Sequence, residues 1–231
     1  MYKNGKLILL GIMLLLFTLS LSSSKLKTES ANAKKPQQMI YIDKKLATYK
    51  SKGKGKQKKR LSAGVYRQYG KSGSWRKVKN NSKKYVWVKS SKAKVPTKNN
   101  KYYKTEQEII RLVNKERAKY KLKSLKQNRE LGRIAMIRSE DMASLNYFGH
   151  TSPTYGRWSN LLYSSEYPFK FAGENLAAGF SKPKEYVNAW MASPTHRDNI
   201  LNKRFTKIAV AIAPGKKRSK SPTYATQWFA Q

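Results

Sequence analysis

The period at which apolar residues recur changes along this chain, and that change limits the folds open to it. From Thr105 onward, Ile109, Ile110, Leu112, Val113 and Ala118 fall at helical spacing, and Leu131, Ile134, Ala135, Met142 and Leu145 repeat the pattern over a second, longer run. That run stops at Asn146-Tyr147-Phe148-Gly149. A third helix is expected near 157–163. A fourth is expected after the capping candidate Ser181, with Pro183 in its first turn and a stop at Ser193-Pro194. The period then becomes that of buried strands over 207–213 and 224–230, with a basic turn-forming loop between them. Helices first and strands last imply an α+β domain over 105–231, a sheet covered by helices.

The start of the chain follows a different logic. Lys3 and Lys6 precede an apolar run from Leu7 to Leu21, and small residues ending Ala31-Asn32-Ala33 follow. This is the layout of a secretory signal peptide over 1–33, cut after Ala33. An uncleaved anchor is the other reading, but the run is short for a bilayer span of about 20 residues. The expectation is a secreted, extracellular or cell-wall-associated protein with no mature transmembrane segment. There is no cysteine, so neither disulfides nor thiolate chemistry is available to it.

Charge divides what remains. Residues 34–104 carry 24 Lys and Arg against the single acid Asp43, a net of +23, whereas 105–231 carry 22 against 10. Outside a cell the matching partners are wall teichoic acids, acidic polysaccharide or anionic lipid headgroups. Nucleic acid fits the charge equally well, and export argues against it. Residues 34–62 read as a basic linker, low in complexity around 50–60. Over 63–104, by contrast, Tyr66, Tyr69, Trp75, Val78, Tyr85 and Trp87 fall in short alternating runs separated by Gly-Lys-Ser-Gly and Asn80-Asn81 turn signals, which reads as β-hairpins. That segment resembles bacterial wall-targeting β-modules of the Src-homology-3 or surface-layer type. The resemblance implies a small β-rich basic module.

Both histidines of the chain lie in the second half, in mirrored settings: His150-Thr-Ser-Pro153 and Ser193-Pro-Thr-His196, with Ala172-Gly-Glu174-Asn175-Leu176 between them. Two imidazoles and a carboxylate can converge on one site that titrates near neutrality. The plainer alternative is that they fix loop ends by hydrogen bonds. Asn175 reads as support for a turn at Gly173, and Trp190 and Trp228 as core aromatics. Tyr155, Arg157 and Trp158 are expected on a groove lip, where an aromatic beside a cation suits sugar or headgroup contact.

At 146–153, 172–179 and 187–202 the residues are similar, in order and spacing, to the three signature blocks of the CAP superfamily of sperm-coating, cysteine-rich secretory and pathogenesis-related proteins, in its bacterial form. The resemblance implies a three-layer α/β/α sandwich with a central groove, in which His150, Glu174 and His196 match cavity residues and Asn175 stands with them. It departs in one respect: many members have a second glutamate where this chain has Ser193, and Glu185 is not an obvious substitute.

Two functions stay open on this reading. One is a groove that binds a lipid, glycan or peptide. The other is a metal-dependent peptidase or cell-wall hydrolase with His150, Glu174 and His196 as candidate catalytic residues. A divalent cation, Zn²⁺ or Ca²⁺, is a candidate cofactor, with His150 and His196 as its ligands. There is no His-Glu-x-x-His helix motif and no Gly-x-Ser-x-Gly elbow, so neither Ser152 nor Ser193 is marked as a nucleophile.

Overall fold

The computed structural model describes residues 38–80, 82–95 and 101–231. The leader-like segment 1–33 lies outside the described residues. Four strands, β1 (Gln38–Ile42), β2 (Gly64–Ser72), β3 (Trp75–Lys79) and β4 (Tyr85–Lys89), form an antiparallel meander in that order. A two-residue turn at Gly73-Ser74, with Gly73 at φ 49°, joins β2 to β3. Asn80 folds the next turn by accepting the backbone N–H groups of Ser82 and Lys84 on its side-chain oxygen. Alternate residues point inward, so Val78, Val86 and Val88 are fully buried.

The stretch read as a linker supplies much of this small core. Ile40 and Ile42 of β1 pack with Leu46, Leu61 and Tyr66, and Leu46 and Leu61 exchange backbone hydrogen bonds. Lysines dominate the composition there, but a few apolar residues are enough to fold 38–62 onto the sheet, which corrects the linker reading for those residues.

The second half builds the expected sandwich. Helices α1 (Tyr103–Lys119) and α2 (Arg129–Leu145) flank the short strand β5 (Lys126–Gln127). After a small ribbon, β6 (Thr151–Ser152) with β7 (Gly156–Arg157), come α3 (Ser159–Ser164), β8 (Ala172–Ala178), α4 (Pro183–Ala192), α5 (Pro194–Leu201), β9 (Lys207–Pro214) and β10 (Thr223–Ala230). The main sheet has the order β5-β9-β10-β8, with β8 on its edge. Along β9, Ile208, Val210 and Ile212 face a core with α1, α4 and α5, while Ala209 and Ala211 face a second core with α2 and α3. The small alanines let α2 approach the sheet closely, and Ser139 of α2 donates to the Ala211 carbonyl at 2.9 Å.

The meander does not hang free of this sandwich. The described residues belong to one compact unit, in which Met39 and Val65 enter the α2–α3 core and the Ser164 hydroxyl accepts the Val65 N–H at 3.0 Å. Arg67 pairs with Glu130 of α2.

Candidate functional site

The site forms where α2 ends and doubles back. Asn146 takes a left-handed conformation, φ 54° and ψ 45°, that terminates the helix. Its side-chain oxygen accepts the Lys220 N–H at 2.7 Å. The returning loop wraps around Arg138, a fully buried guanidinium that donates to the Tyr147 hydroxyl and the Gly149 carbonyl. Asp141, one turn along, accepts from the Ser152 hydroxyl at 2.6 Å and from Tyr147. Burial, and next Asp141, push the Tyr147 phenol well above its ordinary range. Ser152 also accepts the backbone N–H groups of Thr154 and Tyr155, both at 2.9 Å. Its hydroxyl is a loop brace and is not free to act as a nucleophile.

This clamp delivers His150 to Glu174. The imidazole Nδ1 lies 2.8 Å from Glu174 Oε1, and because a carboxylate only accepts, the ring donates from Nδ1 and carries its lone pair on Nε2. The other oxygen, Oε2, accepts from Trp228 Nε1 at 2.7 Å and from Arg138 Nε at 3.3 Å. The Glu174 side chain is fully buried, whereas that of His150 is 53% exposed.

Strand alternation then divides the expected residues between two faces. Glu174 points to the α2 side of β8, and Asn175 to the side of α4 and α5. Asn175 therefore sits in a strand and not in a turn. Fully buried, it donates to the His196 carbonyl at 3.0 Å and to Gln227 Oε1 at 2.9 Å, and accepts from Asn199 at 2.8 Å. Gly173 is needed for closeness: a Cβ there would stand 2.7 Å from Asn199 Oδ1. Partial burial lowers the pKa of His196 below its ordinary value, and the nearby charge of His150 lowers it further.

Beside His196 opens a hollow of about 630 Å³, lined mainly by Phe148, Leu176, Phe180, Trp190 and Tyr224, with Ser193 and Lys220 among its polar residues. Of the four expected cavity residues only His196 lines it. Glu174 and Asn175 are buried in the sheet, and His150, held on Glu174, is not part of the lining. Glu185 caps α4 through the N–H groups of Ser181 and Lys182, so it does not replace the missing second glutamate.

Several functional side chains are missed by the sequence reading. Arg138 and Asp141 lie within an apolar helical run, and polar residues three apart on a buried helix were the available signal. Trp228 is the core aromatic expected, but its indole N–H also orients Glu174. Tyr155 and Trp158 are not part of the lining of the hollow beside His196. Tyr155 is buried and Trp158 packs on Trp228 with ring centroids 6.2 Å apart.

The model of the CAP, cysteine-rich secretory protein family matches residues 110–229. Uncharacterized protein YkwD of Bacillus subtilis (strain 168) is 46% identical over 105 residues, which cover 46% of this chain and 41% of that protein. Uncharacterized membrane protein YlbC of the same organism is 33% identical over 108 residues, 47% of this chain and 31% of its own length. This chain thus matches less than half the length of either relative. A 1.5 Å crystal structure of an extracellular SCP-domain protein from Bacillus anthracis (strain Ames) shares the fold, with a TM-score of 0.51 at 21% identity over 82% of this chain and 68% of that one.

Proposed function

This chain belongs to the cysteine-rich secretory protein (CAP) family, and on that footing we propose that it is an exported envelope protein whose CAP domain binds a single-chain anionic lipid in the hollow beside His196. The observation that carries this reading is the state of Glu174. Both carboxylate oxygens are engaged, by His150 on one side and by Trp228 and Arg138 on the other, and the side chain is sealed from solvent. Such a carboxylate orients its neighbours; it has no free oxygen with which to activate water. The hollow beside His196 has the size and mostly apolar walls of a ligand site, and Lys220 and His196 supply polar groups for an anionic head. Glycans and peptides suit these walls less well than an alkyl chain does.

A divalent cation fits only in part. Among the described residues no group of three or more His, Asp or Glu side chains is placed to hold a metal. His150 Nε2 and the His196 ring could supply two nitrogen ligands, with Glu174 fixing the His150 tautomer as second-layer carboxylates do. That donor set suits Zn²⁺ and not Ca²⁺, which takes oxygen ligands. It would tie an anionic head group to the two rings.

No helix among the described residues is long and apolar enough to cross a membrane. The basic first half would instead hold the protein at an anionic envelope surface.

The test is lipid binding by the chain from Lys34 onward and by its Ala189→Trp variant, which fills the hollow. Loss of binding in the folded variant supports the reading. The hydrolase alternative gains if turnover of peptidoglycan or peptide substrates is found and vanishes in both His150→Ala and His196→Ala while folding persists.

A further inference from the structure

The outward face of the N-terminal meander carries a pattern that the CAP site does not use. In the β3–β4 register Trp75 stands opposite Lys89, Lys77 opposite Trp87, and Lys79 opposite Tyr85. These are consecutive pairs on one face, since the intervening Val78, Val86 and Val88 point inward. Each pair joins one aromatic ring to one lysine. The ammonium groups lie over the rings: Lys89 is 6.0 Å from the Trp75 centroid, Lys77 is 4.6 Å from that of Tyr85, and Lys79 is 4.8 Å from that of Tyr69. Lys52 stands 5.9 Å over Trp87. Ring faces attract cations, so these flexible side chains are gathered on one surface. Lys52, Lys77 and Lys89 have no acidic partner among the described residues. The acid that reaches this face is Glu166, 3.7 Å from Lys79 and accepting from the Tyr69 hydroxyl at 3.2 Å.

At Lys79 the face meets a second cavity, of about 860 Å³, between the meander and residues 153–166. Lys44, Lys45 and Lys83 also line it. Its acids are Glu166 and Asp43, and Asp43 is held by Lys94 at 2.6 Å.

We propose that this face and the cavity it leads into form one binding track for a linear polyol-phosphate polymer of the poly(glycerol phosphate) kind. The proposal rests on the exported location put forward above, and it uses a surface separate from the CAP hollow. Three features favour this occupant. The half of the chain that carries the track has a net charge of +23, which calls for a polyanion. Residues two apart on a strand are about 7 Å from one another, so the lysines present closely spaced charges to closely spaced phosphates. The track ends in a concavity, which a flexible chain can enter and a planar bilayer cannot.

The test measures binding of the chain from Lys34 onward to poly(glycerol phosphate) over a range of salt. The Lys77→Gln/Lys89→Gln pair is expected to weaken binding about tenfold and to flatten the salt dependence, as removing phosphate contacts does. Lys184→Gln/Lys203→Gln, which removes the same charge from the far side of the CAP domain, is expected to change it less than about twofold. Tyr85→Leu, at unchanged charge, is expected to weaken binding about threefold by releasing Lys77 and Lys79. Equal losses from the two lysine pairs would overturn the track in favour of diffuse attraction. Tighter binding to phosphatidylglycerol vesicles than to the polymer, at equal phosphate, would overturn the choice of occupant. Ala189→Trp is expected to leave polymer binding intact, so failure of the lipid reading and failure of the track are told apart.

Discussion

Trp228 Nε1 donates to Glu174 Oε2 at 2.7 Å, so an indole in the core fixes the carboxylate that in turn fixes His150. The second core tryptophan makes a different bond: Trp190 Nε1 donates at 2.9 Å to the neutral carbonyl of Leu176. Both rings are essentially fully buried. Replacing each by Phe removes the same volume and the same N–H, and the acceptors differ. Hydrogen bonds to charged groups contribute more than neutral ones, so Trp228→Phe is expected to destabilise the fold by about 1 kcal/mol more than Trp190→Phe. Denaturant midpoints of the two variants check this; equal losses would show that Glu174 does not depend on the indole.

His196 offers a reading of how close the two rings are. Its imidazole titrates below the ordinary 6.5, chiefly through burial and secondly through the charge of His150. A depressed histidine contributes stability that is present above its unfolded value and is lost as pH falls through the folded one. The expected result is an NMR midpoint for His196 below 6.5 that rises, without reaching the unfolded value, in His150→Ala. No movement in that variant would mean that the rings do not sense each other.

Much of the sandwich could be read from the chain because its helices and inner strands carry regular apolar periods. The edge strand β8 could not. Gly173, Glu174 and Asn175 resemble a turn in composition, and each is explained only by a distant partner: Asn199 crowding Gly173, Arg138 and Trp228 holding Glu174, Gln227 holding Asn175. The meander shows the converse. Lysines in 38–62 conceal Ile40, Ile42, Leu46 and Leu61, whose burial depends on strands that come later in the chain. The three polar residues of the CAP blocks were legible because their neighbours mark them, and the clamp of Arg138, Asp141 and Tyr147 was not, because it is assembled across a loop.

Glu106 predicts a pH dependence away from the site. Burial raises its carboxyl from 4.5 to about 7, opposed by the Ile212 N–H that it accepts at 3.0 Å. The folded chain keeps a proton that the unfolded chain releases. The stability this gives is fully present below 4.5 and is lost as pH rises through about 7. Glu106→Gln keeps an acceptor for Ile212 and removes the charge. It is expected to raise Tm by about 3 °C at pH 8 and to change it little at pH 4. Lower stability of the variant at pH 8 would contradict the assignment.

The central claim is that His150, Glu174 and His196 form one unit at the mouth of a lipid-binding hollow. It is tested most directly by following the ring resonances of the chain's two histidines by NMR while a single-chain anionic lipid is added. The account predicts that both rings shift together, with one saturation curve, and that Ala189→Trp abolishes the shifts while the protein stays folded. Lipid binding that leaves both rings unmoved, or that persists in Ala189→Trp, would contradict it.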